Sequence, residues 1–312
     1  MSGSAAEQTA EDLARIGEAL CGVFPALVRV APLRVLGAGF GSVAVETAGG
    51  QVFRIAKSPA AAARHANEVR LLPALRTRVP VAVPDPRWHA GSSASLPFGV
   101  MEYPKLPGAP LRPEWLARTD SAPIAFDIAA FLLALHRFPI AEAEALGLPG
   151  PESSRAVLEA LRADVLPPLR DALAAIEYRR ITTWWDAFLA DERMRRYRPA
   201  LRHGDLWYEN ILVDEARERV VGVVDFECAA VGDPAQDFAT QLHLGRRFAA
   251  QVIDAYRTLG GELDEDFSHR LWRFWELREF DGVQLAVQSG DSAEFEDAVR
   301  KLRRGPVLSP LT

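Results

Sequence analysis

Strand-like and helix-like segments are segregated along this sequence. Residues 33–47 and 51–57 alternate apolar and polar side chains around glycine-rich turns, which predicts three strands. From about residue 115 onward the apolar side chains recur with helical spacing almost to the C-terminus, interrupted by two short strand-like segments. This segregation predicts an α+β fold with a small sheet-rich lobe, residues 1–104, and a larger, mostly helical lobe, residues 105–312.

The composition narrows the class of protein. The 312 residues are 49% hydrophobic and 25% charged, which is ordinary for a globular chain. No apolar run approaches the ~20 residues that span a bilayer, and the N-terminus lacks the order of a secretory signal. Cys21 and Cys228 have neither the spacing of a disulfide framework nor that of metal ligands. We therefore expect a cytoplasmic protein that does not bind membranes.

The distribution of charge carries more information than the net charge. A net charge of −6 argues against nucleic acid as a partner. Residues 262–297 hold eleven acidic residues against three arginines, a local net charge of −8. This concentration of acid favours a basic partner near the C-terminal helices.

A polar block interrupts the helical part of the sequence. Residues 201–214, LRHGDLWYENILVD, place Asp205 and Asn210 just before an apolar strand, and Asp225 closes the next strand fifteen residues later. Two carboxylates and an amide form a set of hard oxygen ligands that suits Mg²⁺ together with phosphate oxygens. Asp205 is placed to accept a hydroxyl proton during phosphoryl transfer.

The sheet-rich lobe contains groups that suit nucleotide phosphates. Gly37, Gly39 and Gly41 lie in a turn between two strands, where glycines let the backbone approach phosphates closely. A cation on the next strand, Arg54 or Lys57, can reach those phosphates. Glu68, on the helix that follows, can orient the cation as an ion pair, although each of these charges taken alone is also compatible with an ordinary surface position.

The order of these motifs resembles the aminoglycoside phosphotransferase family, antibiotic phosphotransferases and small-molecule kinases related to the protein kinases. The resemblance runs from about residue 35 to residue 240. It is carried by the motifs HGDLWYEN, residues 203–210, VDFE, residues 224–227, and GDPAQD, residues 232–237. It implies a two-lobed, protein-kinase-like fold, with a nucleotide-binding lobe before residue 105 and a catalytic, acceptor-binding lobe after it.

The resemblance also implies roles for individual residues. Asp205 resembles the catalytic base, and Asn210 and Asp225 resemble the Mg²⁺ ligands between the phosphates of ATP or GTP. Two further sets complete the implied site: a hinge that reads the base of the nucleotide (Glu102, Tyr103 and Lys105), and structural supports of the catalytic loop (His203 and Asp237).

Two features depart from the family pattern. The turn at residues 37–41 is one residue shorter between its second and third glycines than the protein-kinase loop, which leaves its phosphate contacts open. Arg54 and Lys57 point to opposite faces of a regular strand. We favour Lys57, because it ends an apolar-Ala-Lys sequence of the kinase type.

Aromatic and acidic side chains are candidates for binding the acceptor. Trp207 adjoins the base and is a candidate for the acceptor pocket, although loop packing explains it equally well. Four acidic residues are candidates for an anionic rim around a cationic acceptor, although a solvated helix face also explains them: Glu227, Glu276, Glu279 and Asp281.

These observations predict transfer of the γ-phosphoryl group of ATP or GTP to a hydroxyl of a small molecule, with an aminoglycoside favoured. The alternatives are a macrolide, a metabolic alcohol such as a choline-like, homoserine-like or sugar acceptor, and a non-catalytic pseudokinase regulator. The intact set of Asp205, Asn210 and Asp225 argues against the last, since a silent copy has no chemical need for all three.

Overall fold

The sheet lies in the N-terminal part of the chain. The computed structural model describes residues 14–24, 33–38, 41–89, 96–116 and 120–309. The N-terminal elements are helix α1 (14–23), strands β1 (Arg34–Ala38), β2 (Ser42–Glu46) and β3 (Gln51–Ala56), helix α2 (Pro59–Leu75), and strands β4 (Arg87–His89) and β5 (Val100–Pro104). The five strands form an antiparallel sheet in the order β1-β2-β3-β5-β4.

Strand β3 is central to the position of the site. Ala44 of β2 and Met101 of β5 flank Arg54 in the register of the sheet. Residues 52–56 are all buried, because β3 is paired on both edges and packs against α2. Ser58 caps α2 by accepting a hydrogen bond from the Ala61 amide at 3.2 Å. The helix continues through Pro73 to Leu75.

The C-terminal part is mainly helical. Its helices are α3 (Pro113–Leu116), α4 (Ala122–His136), α5 (Ile140–Ala145), α6 (Pro151–Ala172), α7 (Ala175–Ala190), α8 (Ala235–Ala239), α9 (Arg246–Thr258), α10 (Phe267–Ser289) and α11 (Ser292–Arg304). Its strands are β6 (Ala109–Pro110), β7 (Ala200–Arg202), β8 (Ile211–Val213), β9 (Val220–Val223) and β10 (Ala230–Gly232). These strands form two small antiparallel sheets, β6-β8-β9 and β7-β10.

Two apolar clusters hold the helical part together. Helix α4 lies in the larger cluster, where Ile128, Phe131 and Leu132 are at most 2% exposed. The second cluster joins α6, α7, α10 and α11, and Trp185 and Phe280 are fully buried in it. The helix at residues 122–136 is therefore the buried central helix that its dense apolar pattern predicts.

The N-terminal part also contacts the second part through its backbone. Ala82 pairs with β9: its amide donates to the Val221 carbonyl at 3.1 Å and its carbonyl accepts from the Val223 amide at 2.9 Å. This pairing fixes the N-terminal part relative to the strand that leads into Asp225.

The boundary between the two parts of the chain, placed between residues 104 and 105, stays our proposal. None of the helices within the described ranges is both long enough and apolar enough to cross a membrane.

Candidate active site

A buried carboxylate, that of Asp237, binds the backbone of the loop that carries Asp205. Asp237 of α8 accepts hydrogen bonds from the backbone amides of His203 at 2.9 Å and Gly204 at 2.8 Å. Its Oδ2 also lies 3.3 Å from His136 Nε2. Gly204 has a φ of +84°, which allows the loop to turn here. Asp237 thus lies where the resemblance implies a support for the catalytic loop.

The tautomer of His203 follows from its two contacts. Nε2 lies 3.0 Å from the Val224 carbonyl, which can only accept, so Nε2 carries the proton. Nδ1 then accepts from the Asp205 amide at 3.3 Å. Burial lowers the pKa of His203 below its usual range. The ring is therefore neutral and ties the loop of Asp205 to the strand before Asp225, which fits the structural role that the resemblance implies.

Asp205 and Asn210 contact each other directly. The Asn210 amide donates to the Asp205 carbonyl at 2.8 Å and to Asp205 Oδ2 at 3.2 Å. Burial and the nearby Asp225 carboxylate raise the pKa of Asp205 to about 7. A carboxylate with a pKa near neutrality suits general-base chemistry, because it can hold and release a proton at working pH.

Pairing of β8 with β9 brings Asp225, which follows β9, close to Asn210, which precedes β8. Ile211 of β8 is paired with Val223 of β9, and the Val224 amide donates to the Asn210 carbonyl at 3.0 Å. Asp225 itself has a φ of +66°, a conformation that is uncommon for residues other than glycine. Strained backbone of this kind persists where the surrounding structure enforces it, and it is frequent at functional sites.

A single guanidinium bridges three carboxylates beside Asp225. Arg54 Nη1 donates to Glu68 Oε1 at 2.9 Å, and Nη2 donates to Asp225 Oδ1 at 2.7 Å and to Glu227 Oε2 at 3.0 Å. Burial alone would lower the pKa of Arg54, but these carboxylates raise it above its usual value. One guanidinium is thus shared among three carboxyl groups. Burial correspondingly raises the pKa of Glu68, an effect that Arg54 opposes.

The ion pair with Glu68 corrects our preference for Lys57. Arg54 is 5% exposed and faces α2 and the Asp225 loop, whereas Lys57 lies just after β3 and is exposed. Packing of β3 against α2 and the loop of Asp225 covers the face from which Arg54 extends, whereas Lys57 lies beyond the end of the strand. The partner of Glu68 is therefore Arg54.

The glycine turn approaches the carboxylates through its last glycine. A Cβ placed on Gly41 would lie 2.7 Å from Arg64 Nη2 and 3.3 Å from Glu227 Oε2. Gly37 lies in β1 beside a bulge and is exposed, and Gly39 falls outside the described residues. Sequence reasoning missed Arg64. The signal for it was the spacing of Arg64 four residues before Glu68, which places both on one side of α2.

The hinge candidates lie at the end of β5: Glu102 and Tyr103 belong to the strand, and Lys105 follows it. Gln51 Nε2 donates to Glu102 Oε2 at 2.9 Å, so this buried carboxylate supports the sheet. The Lys105 amide donates to the Gly50 carbonyl at 2.8 Å, and its ammonium lies 3.0 Å from Glu46. Tyr103 is paired with Val52 and is buried. Reading of the nucleotide base by this backbone stays a prediction.

Each candidate for acceptor binding has a partner in the structure. Glu227 turns toward Arg54, and the Trp207 ring packs on Tyr208 with centroids 4.9 Å apart. Glu276 accepts from Trp184 Nε1 at 2.8 Å, and Glu279 lies 2.6 Å from Arg278. Glu227, Glu276 and Glu279 are therefore bound by arginines and an indole, and their role in an acidic rim around the acceptor stays a prediction. Asp281 of α10, in contrast, is close enough to raise the pKa of Asp205.

Comparison with known proteins then decides the family. The profile of the phosphotransferase enzyme family matches residues 32–281, most of the chain. The chain belongs to this family. The prediction of a small-molecule phosphotransferase is thereby confirmed at the level of the family, and so is the resemblance on which it was based.

Individual relatives support the same fold. Viomycin phosphotransferase of Streptomyces vinaceus is 29% identical over 106 residues, which cover 33% of this chain and 36% of that protein. The GDP complex of an aminoglycoside 2'-phosphotransferase-IIIa mutant aligns over 94% of this chain and 96% of its own, with 24% identity and a TM-score of 0.79. The macrolide 2'-phosphotransferase MphH of Brachybacterium faecium aligns over 90% and 92%, with 26% identity and a TM-score of 0.65. The kinase-like α+β fold is confirmed.

Proposed function

We propose that this protein transfers the γ-phosphoryl group of ATP or GTP to a hydroxyl of a small molecule, with an aminoglycoside as the first choice. The observation that carries the proposal is that the Asn210 side chain hydrogen bonds to Asp205, while the amide of Val224, the residue before Asp225, binds the Asn210 carbonyl. In this proposal residues 1–104 bind the nucleotide, and residues 105–312 supply the catalytic loop and bind the acceptor.

The donor set fits Mg²⁺. Asn210 and Asp225 offer an amide oxygen and a carboxylate, and Glu227 adds a second carboxylate beside Asp225, so the oxygen atoms are those that Mg²⁺ prefers. The excess of negative charge around Arg54 also supports a divalent cation in this place. When bound, Mg²⁺ would supply positive charge to the phosphates of the nucleotide.

The residues of the chain divide the remaining work. Asp205 orients the acceptor hydroxyl and takes its proton as the oxygen attacks, and its raised pKa makes this transfer possible near neutral pH. Arg54, held by Glu68, positions the Asp225 and Glu227 carboxylates. The turn at residues 37–41 covers the phosphates. Most of the rate enhancement in such a reaction comes from positioning and charge.

The choice of an aminoglycoside is supported by the family relatives and by Asp281, which adds negative charge near Asp205. A macrolide is the second candidate, and one observation favours it. Several aromatic rings pack together beside the catalytic loop (Trp207, Tyr208, His243 and Trp275). An apolar acceptor body would suit such a surface better than a polycation.

A steady-state assay tests the proposal. Nucleoside diphosphate release from ATP or GTP is measured with Mg²⁺ against a panel of aminoglycosides and macrolides. We expect Asp225→Ala to abolish turnover while the purified protein stays folded, because the change removes a metal ligand. Near-normal turnover of Asp225→Ala would show that the metal assignment is wrong, and no turnover of the unmodified protein with any acceptor would favour the regulator.

A further inference from the structure

Arg64 lies at the point where the glycine turn meets the candidate metal loop. Its Nη2 atom and Glu227 Oε2 flank the same point beside the α-carbon of Gly41. Arg64 is half-buried, lies one turn before Glu68 on α2, and makes no hydrogen bond or ion pair with residues in the described ranges. The guanidinium also contributes to lowering the pKa of His65 and opposes the rise of the Glu227 pKa, as expected for a positive charge close to both.

The N–H donors of Arg54, the other arginine of this region, already bind carboxylates. Its Nη1 binds both oxygens of Glu68, and its Nη2 is shared between Asp225 and Glu227. A cation whose donors are engaged by carboxylates contributes little new hydrogen bonding to a phosphate. Arg64 has its donors available at the mouth of the same cluster, on the side of the glycine turn.

We propose that Arg64 is a phosphate-binding residue that contacts the terminal phosphate of the nucleoside triphosphate. The inference rests on the proposed function and deepens it. A guanidinium presents parallel N–H donors that match two oxygens of one phosphate. Because Glu227 and Asp225 mark the place of the reacting phosphate, Arg64 approaches that phosphate from α2 while the metal ligands approach it from the helical part.

The experiment compares binding of Mg²⁺-ATP and Mg²⁺-ADP by calorimetry, with GTP and GDP as the alternative pair. In Arg64→Gln we expect the dissociation constant of ADP divided by that of ATP to fall about tenfold or more. Only the triphosphate loses a charge-assisted contact in this variant. Arg64→Lys should keep part of this discrimination, since it keeps the charge but not the paired donors. Arg300→Gln, on the exposed face of α11, is the control and should leave the ratio unchanged.

Gly41→Ala provides a second variant that leaves Arg64 in the sequence. The φ of Gly41 is not in the left-handed region, and the new methyl group would meet the flexible end of Arg64, so the chain should fold with the guanidinium displaced. We expect Gly41→Ala to reduce discrimination between ATP and ADP, and to add little further loss in the Arg64→Gln background.

The outcomes separate the two proposals. If Arg64→Gln melts at a lower temperature but keeps the full discrimination between ATP and ADP, Arg64 is only structural and this inference is overturned alone. If the unmodified protein binds neither ATP nor GTP with Mg²⁺, the proposed function and this inference are overturned together.

Discussion

Asp205 shows how a single residue obtains its chemistry from its surroundings. In an unfolded chain an aspartate titrates near pH ~3.9, but burial and the Asp225 carboxylate raise the pKa of Asp205 to about 7. Below about pH 4 the group is protonated whether the chain is folded or not. The protonated Asp205 carboxyl stabilises the folded chain at low pH relative to an ionised one. As the pH rises through the folded pKa, the folded protein must carry a buried charge, and this stabilisation is lost.

The corresponding prediction concerns Asp205→Asn in the metal-free protein. The amide cannot ionise, so the variant avoids the cost that the carboxylate incurs at high pH. We expect the difference in Tm, variant minus unmodified protein, to be about 2 °C larger at pH 8 than at pH 5. Thermal melts in the presence of a chelator measure this difference. A difference independent of pH would contradict the raised pKa.

Gly204 tests how closely the catalytic loop approaches its neighbour. A Cβ at this position would lie 2.4 Å from the Cys228 carbonyl oxygen, whereas one at Gly290, which also has a positive φ, would meet open space. Alanine at either site incurs about 1–2 kcal/mol of backbone strain. Only Gly204→Ala should also displace Asp205, and we expect turnover to fall about tenfold or more, with Gly290→Ala near normal. Equal turnover of the two variants would show that this close approach is not required.

The sequence indicated some of these residues and not others for a physical reason. Asp205, Asn210 and Asp225 lie on two adjacent strand-loop connections, so their spacing alone suggested one site. The choice between Arg54 and Lys57 depends on which side chain α2 and the Asp225 loop cover, and spacing does not reveal that. Arg64 and Glu227 lie near the same point beside Gly41 only because distant segments of the chain pack together, and no local pattern encodes that proximity.

At the scale of elements, a buried arginine of α10 joins three segments of the helical part. Arg270 is fully buried; its Nε donates to Asp233 at 2.6 Å, its Nη2 to Asp264 at 2.7 Å, and its Nη1 to the Arg196 carbonyl at 3.0 Å. Asp233 also binds the start of α8, because its Oδ1 accepts from the Ala235 amide at 3.0 Å. The ion pair with α10 was not visible, because the two residues are 37 positions apart.

This network predicts that two arginines that bind the same loop contribute very different amounts to the free energy of unfolding. Arg270→Met leaves buried carboxylate charge without its partner, and we expect the free energy of unfolding to fall by about 3–5 kcal/mol. Arg198→Met removes an exposed pair with Glu262, whose side chains are 92% and 83% exposed, and should cost less than about 1 kcal/mol. Chemical denaturation measures both. Similar losses for the two variants would show that Arg270 does not join these elements.

At the scale of the whole molecule, the segregation of sheet and helix predicted the arrangement, and long-range contacts set the geometry. Arg54 on β3 binds Glu68 on α2 and reaches Asp225 across 171 positions of sequence. Ala82 pairs with the strand before Asp225. The site is therefore built between the two parts of the chain, and neither part alone contains all the residues of the proposed reaction.

Phosphorylation of the acceptor tests the central claim most directly. The protein is incubated with Mg²⁺ and ATP or GTP together with each aminoglycoside or macrolide, and the acceptor is examined by mass spectrometry. We expect one acceptor class to gain a single phosphoryl group with the unmodified protein, and to gain essentially none with Asp205→Asn, because the base is missing. Equal phosphorylation by both proteins, or none of any acceptor by the unmodified protein, would contradict the proposed function.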